Sequence, residues 1–215
     1  MSKWMVLTVF VGVLGIITAY HYYKTQTHWV SSDVYKKMSS SHAKTLVVSY
    51  SRTGNSEAVA KTVAQFFDAD LLKIEAPAYI NDLKGLKQAS DDAMEEVEET
   101  EINYEPIDLA QYELIVLSTP TWWFRPAVPM WSFVNIQQFA GKKVLLLMTG
   151  NSRYEEPLIR KFADRVTAKN GQYLDLLFIQ RGRIYWQKTQ QEVNKEVVDV
   201  LESRTDLWSS ILNED

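Results

Sequence analysis

The 215-residue chain has no cysteine, and its three histidines all precede the first strand-like segment. Without cysteine, disulfide bonds, thiolate nucleophiles, Cys-ligated zinc and iron–sulfur clusters are excluded, while the cellular compartment is left open. The histidines are His21, His28 and His42. The body of the chain, from Lys44 onward, therefore has no imidazole, which excludes a Ser-His-Asp triad, a histidine general base and a histidine-ligated metal there. Redox or transfer chemistry in that body needs a bound cofactor or carboxylates.

Basic charge is also scarce. When Lys3 and Lys24 are left out of the 23 basic residues, 21 remain against 27 acidic residues, a net charge of about −6. A chain with this net charge lacks the basic surface that binds nucleic acid, so no nucleic-acid partner is expected. The hydrophobic share of 46% is typical of a globular protein with a sizeable core, and the length predicts one domain.

Charge is missing altogether between Trp4 and Tyr20. A helix of about 17 residues is roughly 26 Å long, close to the hydrocarbon thickness of a bilayer. Aromatic residues that suit a membrane interface flank this run: Trp4 at one end and Tyr20, Tyr22 and Tyr23 at the other. We therefore predict a single transmembrane anchor over residues 4–23.

A cleavable signal peptide is the alternative to an anchor, because Lys3 and the apolar run resemble its charged and apolar regions. The small residues of a cleavage site are poorly matched around Ala19, which favours an uncleaved anchor. Lysines after the run outnumber the single Lys3 before it, and this bias favours a cytoplasmic body on a single-pass protein of the cell membrane. They are Lys24, Lys36 and Lys37.

Residues 24–43 are polar and have neither glycine nor proline, which indicates a tether between the membrane and a domain over residues 44–215. Serines in the tether are Ser31, Ser32, Ser39, Ser40 and Ser41.

Five short apolar runs recur along the domain, with helical patterns between them. Because the runs are nearly continuous rather than alternating, they suit strands buried on both faces of a parallel sheet. They are Thr45–Tyr50, Leu71–Ile74, Leu114–Ser118, Val144–Met148 and Tyr173–Ile179. The helical patterns are Ser56–Phe67, Leu83–Glu99, Ala127–Phe139, Glu156–Lys169 and Thr189–Leu212. This alternation predicts an α/β doubly wound parallel sheet of about five strands.

The first strand leads directly into Ser-Arg-Thr-Gly-Asn-Ser, residues 51–56, and then into a helical pattern. Hydroxyls, an amide and a glycine at a helix N-terminus supply donors and a favourable dipole for a phosphate group. The loop lacks the Gly-Lys-Ser/Thr of a Walker A motif and the glycines of a dinucleotide fold. A simple capped turn, with Asn55 or Ser56 as the N-cap, is the alternative interpretation.

Two further loops follow strands. Residues 118–126 read Ser-Thr-Pro-Thr-Trp-Trp-Phe-Arg-Pro, and three consecutive aromatic residues in a loop suit stacking against a flat ring. The alternative is a tryptophan cluster that closes the end of the sheet. Residues 148–154 again place a hydroxyl, a glycine and an amide after a strand. Since the carboxyl ends of parallel strands share one edge, the three loops predict a ligand with a phosphate at one end and a planar ring at the other.

Two of these segments together resemble the flavodoxin family. Residues 45–56, Thr-Leu-Val-Val-Ser-Tyr-Ser-Arg-Thr-Gly-Asn-Ser, resemble its first strand and FMN phosphate loop. Residues 112–123, Tyr-Glu-Leu-Ile-Val-Leu-Ser-Thr-Pro-Thr-Trp-Trp, resemble its third strand and flavin loop. The resemblance covers about residues 44 to 180 and implies a flavodoxin-like sheet of order 2-1-3-4-5, with FMN between strands one and three. Arg125 departs from the family's pattern, in which small residues are common.

The resemblance also implies which residues bind the cofactor. Those of the phosphate loop are Ser51, Arg52, Thr53, Gly54, Asn55 and Ser56. Those that border the flavin ring, with Trp122 or Trp123 stacking on it, are Thr119, Pro120, Thr121, Trp122, Trp123 and Phe124. Those near its polar edge are Thr149, Gly150, Asn151 and Ser152. No catalytic side chain and no metal site are predicted.

The function implied is FMN-dependent electron transfer, or an NAD(P)H-dependent FMN or quinone-type oxidoreductase, at a membrane. Its partners are then a redox protein, a quinone or NAD(P)H. A flavin-free interaction module with the same fold is the alternative. A phospho-receiver of this topology needs acidic residues at the end of the first strand, where Ser49-Tyr50-Ser51 offers none.

Overall fold

The computed structural model of the protein describes residues 2–38, 42–183 and 186–212. Ser39, Ser40 and Ser41 of the predicted tether lie outside the described residues, as do residues 184–185 and 213–215 of the predicted domain.

A parallel sheet forms the centre of the domain. Its strands are β1 (Thr45–Tyr50), β2 (Asp70–Ile74), β3 (Leu114–Trp122), β4 (Arg125–Pro126), β5 (Lys143–Gly150) and β6 (Gln172–Gln180). The long strands lie in the order β2-β1-β3-β5-β6, and the two-residue β4 pairs antiparallel with the end of β3. The flavodoxin-like α/β fold is therefore confirmed, with β4 as an additional strand that shifts the numbering of the predicted order.

Helices cover both faces of the sheet. They are α2 (Asn55–Phe67), α3 (Leu83–Met94), α4 (Val128–Ile136), α5 (Glu156–Ala168), α6 (Gln190–Glu202) and α7 (Thr205–Leu212), with short 3-10 turns at Pro77–Tyr79 and Leu109–Gln111. Helix α1 (Lys3–Thr27) precedes them and does not cover the sheet. Apolar residues of α4 and α5 pack with one set of strand side chains, and those of α2, α6 and α7 pack with the alternate set. Two apolar cores, one on each face, thus hold the sheet.

Three predicted helices differ from the structure. The helix expected over residues 127–139 ends at Ile136, because Gln137 takes an extended conformation. The helix expected over residues 83–99 ends at Met94, because Glu96 takes a left-handed conformation (φ 53°) and the amide of Val97 bonds to the carbonyl of Asp92. A Schellman motif usually has a glycine at this position. Because the residue here is a glutamate, the sequence does not indicate that the helix ends. The helix expected over residues 189–212 is two helices, α6 and α7, with a break that no glycine or proline marks.

Helix α1 is one continuous helix in which no residue is buried, and it is long and apolar enough to cross a membrane. Residues 28–38 follow it without helix or strand and lie along α2 and the start of β2. The Tyr35 hydroxyl donates to the carbonyl of Ala69 at 2.6 Å, and Lys61 Nζ donates to Ser32 Oγ at 2.9 Å. The described part of the predicted tether is thus attached to the domain.

Candidate functional site

The carboxyl ends of β1, β3 and β5 meet at one edge of the sheet, because β3 is paired in parallel with both other strands. Loops after these strands form a cleft, as the sequence predicted from their positions. The cleft is lined by Thr25, Gln26, Ser51, Arg52, Thr53, Asn55, Ser56, Pro120, Trp122, Thr149, Gly150, Asn151 and Arg181.

The loop over residues 51–56 ends at the first turn of α2. Gly54 precedes the helix with φ 83°, a left-handed conformation that side chains disfavour and glycine adopts readily. The Asn55 amide donates to Thr53 Oγ1 at 3.0 Å, which fixes both side chains at the helix N-terminus. Amide N–H groups of the first turn and the helix dipole make this end of the cleft favourable for an anion.

A buried hydroxyl pair joins this loop to the loop after β5. Ser56 Oγ and Thr149 Oγ1 lie 2.6 Å apart, and Ser118 Oγ donates to the carbonyl of Ser56 at 3.4 Å. The start of α2 is therefore linked to the ends of β3 and β5. Either hydroxyl of the pair can be the donor, and the other then keeps its own O–H for a ligand.

Arg52 is a buried cation in the wall of the cleft. Its Nη2 donates to the carbonyl oxygen of Gln26 at 2.5 Å, and its buried Nη1 has no hydrogen-bond partner within the described ranges. Burial lowers the pKa of the guanidinium from its ordinary value. A buried cation with an unused donor is suited to an anionic group in the cleft.

The segment predicted as a loop over residues 118–126 is mostly strand, because β3 stays paired with β5 and then with β4 and continues to Trp122. A two-residue turn at Trp123 and Phe124 joins β3 to β4. Trp122 lines the cleft and packs edge-on against Tyr50 and Tyr79, with ring centroids 5.6 and 5.0 Å apart. The turn residues Trp123 and Phe124 have φ values of 43° and 68°. Hairpin turns with positive φ usually have Asn or Gly at these positions. Two aromatic residues in this conformation therefore indicate backbone strain at the site.

The remaining predicted site residues lie beside the cleft rather than in its lining. Trp123 is 49% exposed and its Nε1 donates to Ser90 Oγ at 2.9 Å, while the Phe124 ring lies 4.5 Å from the Arg153 guanidinium carbon. The others are Gly54, Thr119, Thr121 and Ser152. Of these, Thr121 has a buried Oγ1 with no hydrogen-bond partner in the part of the chain that the structure describes.

Sequence reasoning missed Thr25 and Gln26, which bring the end of α1 into the cleft. Their only signal was that the helical segment continues past the apolar run without a glycine or proline. Arg181, whose Nη2 donates to Gln187 Oε1 at 2.7 Å, completes the lining.

The family model of flavodoxins matches residues 44–189 of the chain. The chain belongs to the flavodoxin family. Among solved structures, this flavodoxin-family chain is similar to a flavoprotein of Lactobacillus acidophilus in complex with FMN, at 20% identity and a TM-score of 0.55 over 63% of this chain and 93% of that one.

It is also similar to a candidate flavoprotein of Bacteroides uniformis, at 21% identity and a TM-score of 0.56 over 74% of this chain and 99% of that one. A candidate flavoprotein of Bacteroides eggerthii has 16% identity and the same TM-score, over 74% of this chain and 97% of that one. At these identities the similarity shows the fold alone. Among curated proteins no match to this flavodoxin-family chain is found.

Proposed function

We propose that this member of the flavodoxin family binds FMN and uses it for electron transfer or oxidoreduction at a membrane. The observation that supports this most is the single cleft that brings a helix N-terminus, the buried Arg52 and the indole of Trp122 together. These groups suit a ligand with an anion at one end and a flat ring at the other. The similar protein from L. acidophilus is in complex with FMN.

The donors of the cleft fit a flavin mononucleotide. The loop over residues 51–56 has backbone N–H groups, the hydroxyl of Thr53 and the amide of Asn55 for a phosphate. Arg52 Nη1 is a buried polar atom of the cleft lining that lacks a partner among the described residues, and a polar ligand would supply one. The cleft has a volume of about 90 Å³ and is partly open to solvent.

When bound, FMN supplies the electron exchange. The chain's own residues bind and orient it: the loop over residues 51–56 holds the anion, and Trp122 borders the ring plane. Trp123 is exposed at the rim and offers an apolar contact for a partner, which is a redox protein, a quinone or NAD(P)H. A pure electron carrier and an NAD(P)H-dependent reductase share these features and differ in what docks at the rim.

Helix α1 supports a location at a membrane, because it is apolar over residues 4–20 and buries none of them against the domain. The lysines after the apolar run support a cytoplasmic domain. Intact mass spectrometry of the protein from cell membranes separates an anchor from a signal peptide. An anchor retains α1, whereas a cleaved signal peptide lacks about the first 20 residues.

Titration of the full-length protein in detergent micelles with FMN tests the proposed cofactor. We expect flavin absorbance bands to shift and flavin fluorescence to be quenched by the neighbouring tryptophans. Replacing Thr53→Ala together with Asn55→Ala should weaken binding about 10- to 100-fold, because two hydrogen bonds to a charged phosphate are lost. Thr62→Ala is the matched control, since this hydroxyl bonds only to Ala58 of its own helix.

Unchanged affinity in the double variant would place the phosphate elsewhere. No quenching by the unmodified protein would favour the flavin-free interaction module instead. Once FMN is bound, oxidation of NAD(P)H in the presence of a quinone separates a reductase from a carrier.

A further inference from the structure

The end of the anchor helix and the residues after it cross the phosphate loop. We call residues 25–30 the strap. Within it, the Gln26 carbonyl accepts from Arg52 Nη2 at 2.5 Å, and the Val30 amide donates to the carbonyl of Thr53 at 2.8 Å. The strap also lies directly on Gly54, where an added Cβ would stand 2.1 Å from the carbonyl oxygen of Val30 and 3.2 Å from the Trp29 ring.

The strap occupies one donor, on Arg52, that the phosphate loop would offer to an anion. A main-chain carbonyl oxygen and a phosphate oxygen both accept a hydrogen bond from a guanidinium N–H. The carbonyl oxygen can therefore occupy the position of a phosphate oxygen. The Gln26 carbonyl is therefore bound where an anionic ligand of Arg52 would be. Thr25 and Gln26 also line the cleft, so the strap takes up part of the space beside Arg52.

We propose that the strap competes with the FMN phosphate for this cleft, so that binding of the cofactor displaces the strap from the phosphate loop. This inference rests on the proposed cofactor. Residues 25–30 then regulate FMN binding. The position of the end of the anchor helix depends on whether FMN occupies the cleft.

The displacement is confined to a short stretch, because the chain is attached again a few residues later. Ser32 accepts from Lys61, and the Tyr35 hydroxyl donates to the carbonyl of Ala69. Among the described residues, the hydrogen bonds of Gln26 and Val30 hold the strap to the loop, and the strap also packs against Gly54. Their loss costs two hydrogen bonds, which several charge-assisted bonds to a phosphate outweigh.

Hydrogen exchange of the full-length protein in detergent micelles tests the proposal without any substitution. The Val30 amide is hydrogen-bonded to the loop, so it exchanges slowly while the strap is in place. We expect saturating FMN to accelerate exchange at Val30, whereas most ligands slow exchange near their site. The Tyr112 amide, which bonds to Leu109 away from the cleft, is the internal control. Slower or unchanged exchange at Val30 in the FMN-bound protein would overturn the proposal.

A matched pair of variants tests the same competition through affinity. Val30→Pro removes the N–H that bonds to Thr53, whereas Val30→Ala shortens the side chain and keeps that N–H. We expect Val30→Pro to bind FMN roughly 5-fold more tightly, the effect of one net hydrogen bond, and Val30→Ala to bind as the unmodified protein does. Equal or weaker binding by folded Val30→Pro contradicts the competition.

The two proposals fail in different ways. If the unmodified protein and Val30→Pro both leave FMN fluorescence unquenched, the proposed cofactor is wrong and the competition is overturned with it. If both bind FMN equally and exchange at Val30 does not rise, the cofactor stands and the competition alone is wrong. Should Val30→Pro fail to fold, the exchange measurement still decides.

Discussion

Arg125 is only 1% exposed, and its three side-chain nitrogens have no hydrogen-bond partner in the described part of the chain. Its guanidinium carbon lies 4.7 Å from the centre of the Trp131 ring, a cation–π contact that offsets part of the cost of burial. Burial lowers the pKa of this guanidinium, while the charges of Glu96 and Glu98 act in the opposite direction. A buried cation without hydrogen bonds is a net cost to the fold.

Arg125→Met should therefore stabilise the domain. Methionine fills a similar volume and needs no hydrogen bonds, so we expect the free energy of unfolding to rise by about 1–3 kcal/mol. Urea unfolding monitored by tryptophan fluorescence measures the change. Arg153→Met is the control, because this arginine also contacts an aromatic ring but is exposed, and we expect a change below about 0.5 kcal/mol. Destabilisation by Arg125→Met would show that a partner outside the described residues satisfies the guanidinium.

At the scale of single residues, the sequence predicted loop residues that line the cleft, but not the residues that contact them. Thr53 and Asn55 were predicted from their types and their place before a helix, and both line the cleft. Gln26 could not be predicted, because its bond to Arg52 uses a main-chain carbonyl, which every residue has. The burial of Arg125 was equally hidden, since arginine is a residue of surfaces.

At the scale of elements, Glu57 links helix α2 to strand β2. Its carboxylate lies 2.9 Å from Lys61 Nζ of the same helix and 3.1 Å from Lys73 Nζ of the strand, and its side chain is 8% exposed. Burial acts to raise the pKa of this carboxyl, but the hydrogen bonds and charges of the two lysines outweigh it and hold the pKa below 4.5. The pair thus fixes the first turn of α2, which carries the phosphate loop.

Glu57→Gln should destabilise the domain in a pH-dependent way. A depressed carboxyl pKa contributes stability that is present above the unfolded value of about 4.5 and is lost as the pH falls through the folded value. We expect a loss of about 1–3 kcal/mol at pH 7 that shrinks steadily below pH 4.5, measured by urea unfolding at both acid and neutral pH.

Asp199→Asn is the control for Glu57→Gln, because it breaks an ion pair of the same spacing, with Lys195, on the exposed face of α6. We expect this variant to change stability by less than about 0.5 kcal/mol. Equal losses in the two variants, or a loss from Glu57→Gln that persists in acid, would exclude the ion-pair explanation.

Strands were easier to predict than helix ends. Continuous apolar runs such as residues 45–50 can only be buried on both faces of a sheet, so their number and parallel arrangement follow from composition. The end of α3 depends on a left-handed Glu96, and the strand β4 depends on the strained turn at Trp123 and Phe124. Tertiary packing imposes both conformations on residues that do not favour them, which leaves no local signal.

At the scale of the whole molecule, the proposed membrane location depends on the exposed apolar residues of α1. Val11→Lys together with Val13→Lys places two charges at the middle of the apolar run. Each charge costs about 2.5–3.5 kcal/mol at the centre of a membrane helix, so we expect the full-length variant to be extracted from membranes by alkaline carbonate. Neither valine packs against the domain, so the fold should be unaffected.

The control for the valine variants is His21→Lys, just beyond the apolar run, which should remain in the carbonate-resistant pellet. If the double variant stayed in the pellet as well, the anchor would lie elsewhere.

Because α1 continues without interruption from the apolar run to the strap, the height of the cleft above a bilayer is set by helix geometry. Gln26 follows Tyr20 by about 9 Å of helix, and a headgroup layer is roughly 5–7 Å thick. In the proposed cytoplasmic orientation, the cleft of an inserted protein would face the interfacial water of that leaflet. A surface potential of about −30 mV there concentrates protons about 3-fold and depletes a doubly charged anion about 10-fold. Chemistry in this cleft consequently responds to lipid composition, and it differs between neutral micelles and anionic vesicles even when the bulk pH and dinucleotide concentration are the same.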